Sequence, residues 1–251
     1  MISSIDDHSR FIPYAKFVEH ESSWGHIQAS QSLILTYGCP YQYYVDCHST
    51  FRYVKGRDQL HHNFTKFTDD VDPQWKQVMQ DCNIKVTYAL SPQAKGKVER
   101  SYRWAQDRVV RSCVRENVKD IAHAQRILDF EIRRYNFKQV HSTTGEIPYI
   151  RFKRALNTGK SLFRQFVVPK PFLLVKDIFC LRTNRTVDNY RKTSLGNKTF
   201  KLNCYDGRVS VNIRFLPIGK NLVELRFWHK EKLIDVRRVK KTDLKLSTFH
   251  L

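Results

Sequence analysis

The chain has 251 residues, 41% of them apolar, and carries 44 basic against 24 acidic side chains, for a formal net charge of +20. That length holds one large domain or a core with a small appendage, and the apolar share suffices for a packed interior. No apolar run reaches the length of a membrane span, residues 1–20 lack a signal-peptide layout, and the six cysteines form no CxxC pair, which argues against membrane insertion, secretion, a disulfide framework and a structural zinc site.

In chain order, Met1 to Asp6 reads as a short strand and Phe11 to Val18 as a second apolar segment. The turn-rich run Asp6-Asp7-His8-Ser9-Arg10 joins them as a hairpin. Glu21 to Tyr37 has helical spacing, with Trp24, Ile27, Leu33, Ile34 and Tyr37 on one face, and Gly38 stops it as a C-cap. Tyr41 to Val45 is the next strand. Residues 52–74 are polar and read as an inserted loop; its adjacent His61 and His62 fit solvent exposure better than metal ligation. Trp75 to Cys82 is helical and Ile84 to Leu90 is a strand.

Pro92 suits the first turn of a helix reaching about Asn117. Val98, Tyr102, Ala105, Val109 and Cys113 form its buried stripe. Glu99 lies about 100° round from Val98, on a face with Lys95, Arg103 and Gln106. The charge also switches here. Residues 1–90 hold 8 basic and 10 acidic side chains, a net of −2, whereas 91–170 and 171–251 each hold 18 and 7, a net of +11 apiece. A polyanion, most naturally a nucleic acid, is the partner such a surface implies. Charge alone does not separate DNA from RNA, anionic lipid or a merely solvated face. Asp120 to Phe137 makes a further helix. Past Pro169 and Pro171 the texture becomes five short strand-like runs, Ile178–Arg182, Thr199–Asn203, Val209–Phe215, Leu222–Trp228 and Leu233–Val239, which suggest a small β-barrel. Trp24, Trp75, Trp104 and Trp228 read as core residues, and His141 as a packing or hydrogen-bonding residue.

Three segments resemble, in order, the integrase core of retroviral integrases and bacterial insertion-sequence transposases of the DDE type. Tyr44-Val45-Asp46 with Ser49 and Phe51 is similar to the second acidic motif. Ser91-Pro92-Gln93-Ala94-Lys95-Gly96 through Glu99-Arg100 is similar to the third. Tyr135-Asn136, His141 and Gly145 to Pro148 resemble the segment after the core helix. The resemblance implies an α/β, ribonuclease-H-like core over residues 1–155, a linker over 156–171 and a basic DNA-binding β-barrel over 172–251. It implies Mg²⁺ or Mn²⁺ held by Asp46 and Glu99, for DNA strand cleavage and transfer. Lys95, Arg103 and Gln106 would hold DNA backbone nearby. Transposon ends and target DNA are the implied partners, a homo-oligomer is a further implied state, and the setting is the cytoplasm, at the nucleoid.

The pattern also departs from the family. Its first catalytic Asp sits on the first strand, for which Asp6 is the candidate here. But Asp6-Asp7-His8-Ser9-Arg10 resembles the family's second strand and turn, where the Asp is structural, and only 39 residues separate Asp6 from Asp46. The expectation is an N-terminally truncated chain, lacking the first strand, with Asp6 beside the site and not in it, and with impaired catalysis. His48 stands where many relatives have Gly. A catalytically dead DNA-binding remnant and a ribonuclease-H-like nuclease are the alternatives.

Overall fold

The computed structural model describes residues 1–46, 51, 73–89, 92–203 and 208–244, without the side chains of 92–98 and 101. The expected polar loop with His61 and His62 lies almost wholly outside the described residues, and His48 outside them altogether. In chain order the elements are β1 (Ile2–Ser4), β2 (Tyr14–Lys16), α1 (Ser23–Tyr37), β3 (Gln42–Val45), α2 (Gln74–Asp81), β4 (Lys85–Tyr88), α3 (Pro92–Arg115), α4 (Ile121–Lys138), α5 (Pro148–Asn157) and α6 (Val175–Ile178). Then follow β5 (Leu181–Val187), β6 (Lys192–Leu195), β7 (Lys198–Lys201), β8 (Val209–Pro217), β9 (Leu222–His229), β10 (Lys232–Lys240) and a 3₁₀ turn over Lys241–Leu244. Two compact units divide them: Met1–Glu21 with Gln28–Cys47 and Ile84–Phe166, and Ser22–Ile27 with His48–Asn83 and Val167–Leu251. The division falls inside α1.

In the first unit, β1 and β2 form the expected antiparallel hairpin, with Ile2 opposite Lys16. Side chains of α4 take main-chain groups that flank β2. Asn136 accepts from the Ile12 amide at 2.9 Å and donates to its carbonyl at 2.8 Å, and Gln125 accepts from the Phe17 amide at 2.8 Å. One helix thus serves the hairpin as a neighbouring strand would, leaving few amides unmet. β3 and β4 run parallel, from Gln42 opposite Lys85 to Val45 opposite Tyr88. Asp120 caps α4 by accepting from the His123 amide at 2.7 Å.

The core of this unit centres on Phe11, 1% exposed. Its ring stacks on Phe152 at 4.9 Å and meets Tyr37, Tyr149 and Phe137 at 5.5, 5.8 and 6.4 Å. Gly38 ends α1 at φ +94°, and its amide donates to the Ile34 carbonyl. The next residue, Cys39, exchanges two main-chain hydrogen bonds with Arg164, at 2.8 and 2.9 Å. A Cβ on Gly38 would collide with the Arg164 carbonyl oxygen, so both conformation and space demand glycine there.

The second unit holds an antiparallel sheet in the order β10-β9-β8-β5 and a separate β6–β7 hairpin. It is not the closed barrel expected from the sequence. Among the described residues β6 and β7 pair only with each other, so nothing joins the edge strands β10 and β5, and four strands alone do not close. Its interior is partly ionic. Asp177, fully buried, accepts from Arg226 at 2.5 Å and from the Leu173 and Leu174 amides. Arg226 also meets Glu224 at 3.3 Å. Arg214 donates to the Asp177 carbonyl and lies 4.4 Å above the Phe172 ring. The helix α2 belongs to this unit. Gln74 grips the Arg182 amide and carbonyl at 2.7 and 2.9 Å, and Asp81 accepts from Arg182 at 2.7 Å. Among the described residues, no helix is long and apolar enough to cross a membrane.

Candidate nucleic-acid site

The parallel β3–β4 pair sets where Asp46 leaves its strand. The Ala89 amide donates to the Val45 carbonyl at 2.7 Å, so pairing runs to the last residue of β3. Asp46 leaves the strand there, half-buried, and α3 begins only three residues beyond Ala89. The carboxyl ends of parallel strands are where α/β units gather their functional groups. Glu99 lies two turns into α3, exposed to solvent, about 10 Å along the axis from Pro92 at 1.5 Å per residue.

The outward face of α3 is strongly polar. Glu99, Arg100, Arg103, Gln106 and Arg108 are all exposed, and Arg111 pairs with Asp107 at 2.6 Å. The side chain of Lys95 lies outside the described residues. On the inward face Ala105 and Val109 are buried as the stripe requires, while Tyr102 and Cys113 are half-buried. The sequence hid one inward contact: Ser112 donates at 2.9 Å to Glu131 of α4, a buried carboxylate that Arg134 meets at 3.0 Å.

Asp6 is occupied by its own turn. Its Oδ2 accepts from the Ser9 amide at 2.7 Å and the Ser9 hydroxyl at 2.5 Å, while its carbonyl accepts from Arg10, whose φ is +66°. Among the described residues no three His, Cys, Asp or Glu side chains group as a metal centre would require, and Asp6, Asp46 and Glu99 are no exception. Two carboxylates are the right donors for a hard divalent cation, but they are two.

The segment after α4 is held by many ties. His141 and Glu146 form a bridge closed by Gly145 at φ +66°. Glu146 meets Arg151 at 3.0 Å and Arg154 at 2.6 Å; its hydrogen bond to Arg154 leads in holding its carboxyl below the usual range. Arg151 also donates to the His8 carbonyl, tying this segment to the β1–β2 turn. The Thr143 amide donates to His141 Nδ1 at 3.2 Å, which suits the neutral ring. Burial, then the charges of Arg10 and Arg100, push the His141 pKa down. Burial drives the Tyr135 phenol up to about 12.

Two cavities open on this unit. The larger, about 690 Å³, lies along α3, is mainly apolar and has no Asp, Glu, Lys or Arg side chain in its lining. The smaller, about 320 Å³, is lined by Arg10, Arg100, Trp104, Tyr135 and residues 139–143. Trp75 and Trp228 are buried, 2% and 3% exposed, as core residues should be; Trp104 is only half-buried. In the second unit burial sorts the cations. Arg182, Arg214 and Arg226 are interior, whereas Lys192, Lys198, Lys201, Arg208, Lys232 and Arg238 are exposed.

These features describe a mixed α/β protein with an acid at a strand end and another on a basic helix. No protein-family model matches the chain. A protein of Sinorhizobium fredii (strain NBRC 101917 / NGR234) named "Putative transposase y4bF" is similar to it, 30% identical over 132 residues, which are 53% of this chain and 27% of that protein. The match thus spans about a quarter of that relative's length. Among solved structures, the cryo-EM structure of the simian T-cell lymphotropic virus intasome in complex with PP2A regulatory subunit B56 gamma is similar at a TM-score of 0.46 and 13% identity, over 94% of this chain and 71% of that one.

Proposed function

We propose that the chain is a transposase- or integrase-type protein that binds DNA along α3 and the exposed basic surface of the sheet unit, with Asp46 and Glu99 as its acidic pair. The observation that supports the reading is the β3–β4 register, which sets Asp46 just past the strand end that pairs with Ala89, itself three residues before the helix that bears Glu99. The similarity to a transposase and the basic face of α3 support it. A ribonuclease-H-like core, and the division into core, linker and appended basic domain, belong to the same proposal.

Asp46 and Glu99 would hold Mg²⁺ or Mn²⁺, and such an ion would draw charge off a phosphodiester oxygen. Arg103 and Gln106, exposed one and two turns beyond Glu99, would position the DNA backbone, as would Lys95. With two carboxylates Mg²⁺ keeps most of its water and its place is loosely set, so the chain is expected to cleave DNA slowly. The second reading is a DNA-binding protein without catalysis; the engagement of Asp6 Oδ2 by the Ser9 amide and hydroxyl favours it. Divalent-metal-dependent nicking of transposon-end DNA decides between them. Slow nicking abolished by Asp46→Asn and by Glu99→Gln supports the first. DNA binding with no nicking in Mg²⁺ or Mn²⁺ selects the second. Robust nicking lost in Asp6→Asn overturns the assignment of the pair.

A further inference from the structure

The smaller cavity is built by three stretches distant in sequence. The turn after β1 supplies Arg10, α3 supplies Arg100 and Trp104, and the end of α4 with its following turn supplies Tyr135, Gln139 and His141. Its volume, about 320 Å³, sits at the small end of ligand pockets. The lining divides by chemistry. Arg10 and Arg100 bring two guanidiniums to one cavity, and both act on the His141 ring. Trp104 and Tyr135 make an aromatic wall, their rings 4.6 Å apart and tilted by 46°. Gln139 Oε1 is buried without a hydrogen-bond partner among the described residues, a costly state unless something supplies a donor.

A duplex backbone needs only a convex or flat row of cations. A concave site joining two guanidiniums, a π surface and an unmet amide fits a ligand with a phosphate, a flat ring and a donor on the ring's edge. We infer that this cavity receives one unpaired nucleotide of a DNA strand, its phosphate on Arg10 and Arg100 and its base against Trp104 and Tyr135, within reach of Gln139. Arg100 adjoins Glu99 in the chain, so a strand seated there passes close to the acidic pair. The inference rests on the DNA-binding reading above. Arg10, whose side chain is 15% exposed, also meets Asp7 at 3.1 Å, a carboxylate 75% exposed that an incoming phosphate would have to share or displace.

The test uses the full chain with four probes: thymidine, thymidine 5′-monophosphate, a blunt hairpin DNA, and the same hairpin with a short unpaired tail. The tailed hairpin is expected to bind about tenfold more tightly than the blunt one, the worth of one stacked base. Trp104→Leu should remove that preference while leaving blunt-hairpin affinity within about twofold; Arg100→Gln should remove the preference as well while weakening both hairpins, as loss of a cation on α3 requires, and Arg100→Lys should keep part of it. Thymidine monophosphate, and not thymidine, should shift the His141 ring resonances. Equal binding of the two hairpins, or a preference that survives both substitutions, overturns the inference, as does an unmoved His141 signal. If neither hairpin binds while the monophosphate still shifts His141, the DNA-binding reading falls and the assignment to a DNA strand falls with it.

Discussion

Residues 91–170 and 171–251 carry equal net positive charge and use it differently. On α3 the arginines stand outward in a row beside Glu99, while in the sheet unit Arg182, Arg214 and Arg226 are turned inward onto Asp81, Asp177 and Glu224. A tally of +11 for residues 171–251 therefore overstates what a polyanion would meet. An interior arginine is paired and desolvated, and its removal strands a buried carboxylate; a surface arginine is hydrated and costs little to lose.

The largest expected effect tests the interior half of that contrast. Asp177→Ala leaves Arg226 buried beside Glu224 alone and should cost about 3 kcal/mol or more of stability, read as a lower denaturant midpoint. The salt dependence of DNA binding by the remaining folded protein should not change. Gly38→Ala comes next. It forces an L side chain into a positive φ and against the Arg164 carbonyl, for about 1–3 kcal/mol. A loss no larger than that of an exposed helix substitution would mean that the Cys39–Arg164 bridge is not formed in solution.

The exterior half predicts the reverse pattern. Arg103→Gln with Arg108→Gln should change stability by less than about 0.5 kcal/mol per site yet flatten the plot of log affinity against log salt by about 2 units. Arg182→Met should do the opposite, lowering stability with the slope intact. Identical slopes for the two variants would erase the distinction between units. The smallest effect concerns pH. Because the folded pKa of His141 is depressed, the native state binds fewer protons than the unfolded chain at mildly acidic pH. Its contribution is present above the ordinary value near 6.5 and is lost as pH falls through the depressed one. Stability of the natural chain should thus drop more than that of His141→Gln on going from about pH 7 to about pH 5.

What could be read from the sequence is what local chemistry dictates. Gly38 announced the end of α1, Pro92 the start of α3, and the spacing of Ala105 and Val109 its buried face. Asp46 was legible as a strand-end acid because an apolar run stops at it. The hidden features are pairings between residues far apart. Gln74 finds Arg182 across 108 positions and Asn136 finds Ile12 across 124, and neither leaves a period in the sequence. Alternation revealed strands in the last 80 residues, but whether a sheet closes is set by pairing at its edges, which alternation does not encode. Trp104 shows a further limit: its helical position suits a core residue, and only Arg10 and Arg100 beside it make its ring one wall of a polar cavity.

The amide side chains of α4 have a consequence for how the first unit meets other proteins. A short hairpin with a bare edge is a template for any extended chain that drifts past, a hazard in a crowded folding environment. Asn136 holds the main-chain groups of Ile12 just before β2, and Gln125 the Ala15 carbonyl and the Phe17 amide, without offering a further edge in turn, as an added strand would. Both should therefore act as guards against self-association, so that Asn136→Leu yields soluble oligomers and fibrillar aggregates at concentrations where the natural chain stays dispersed.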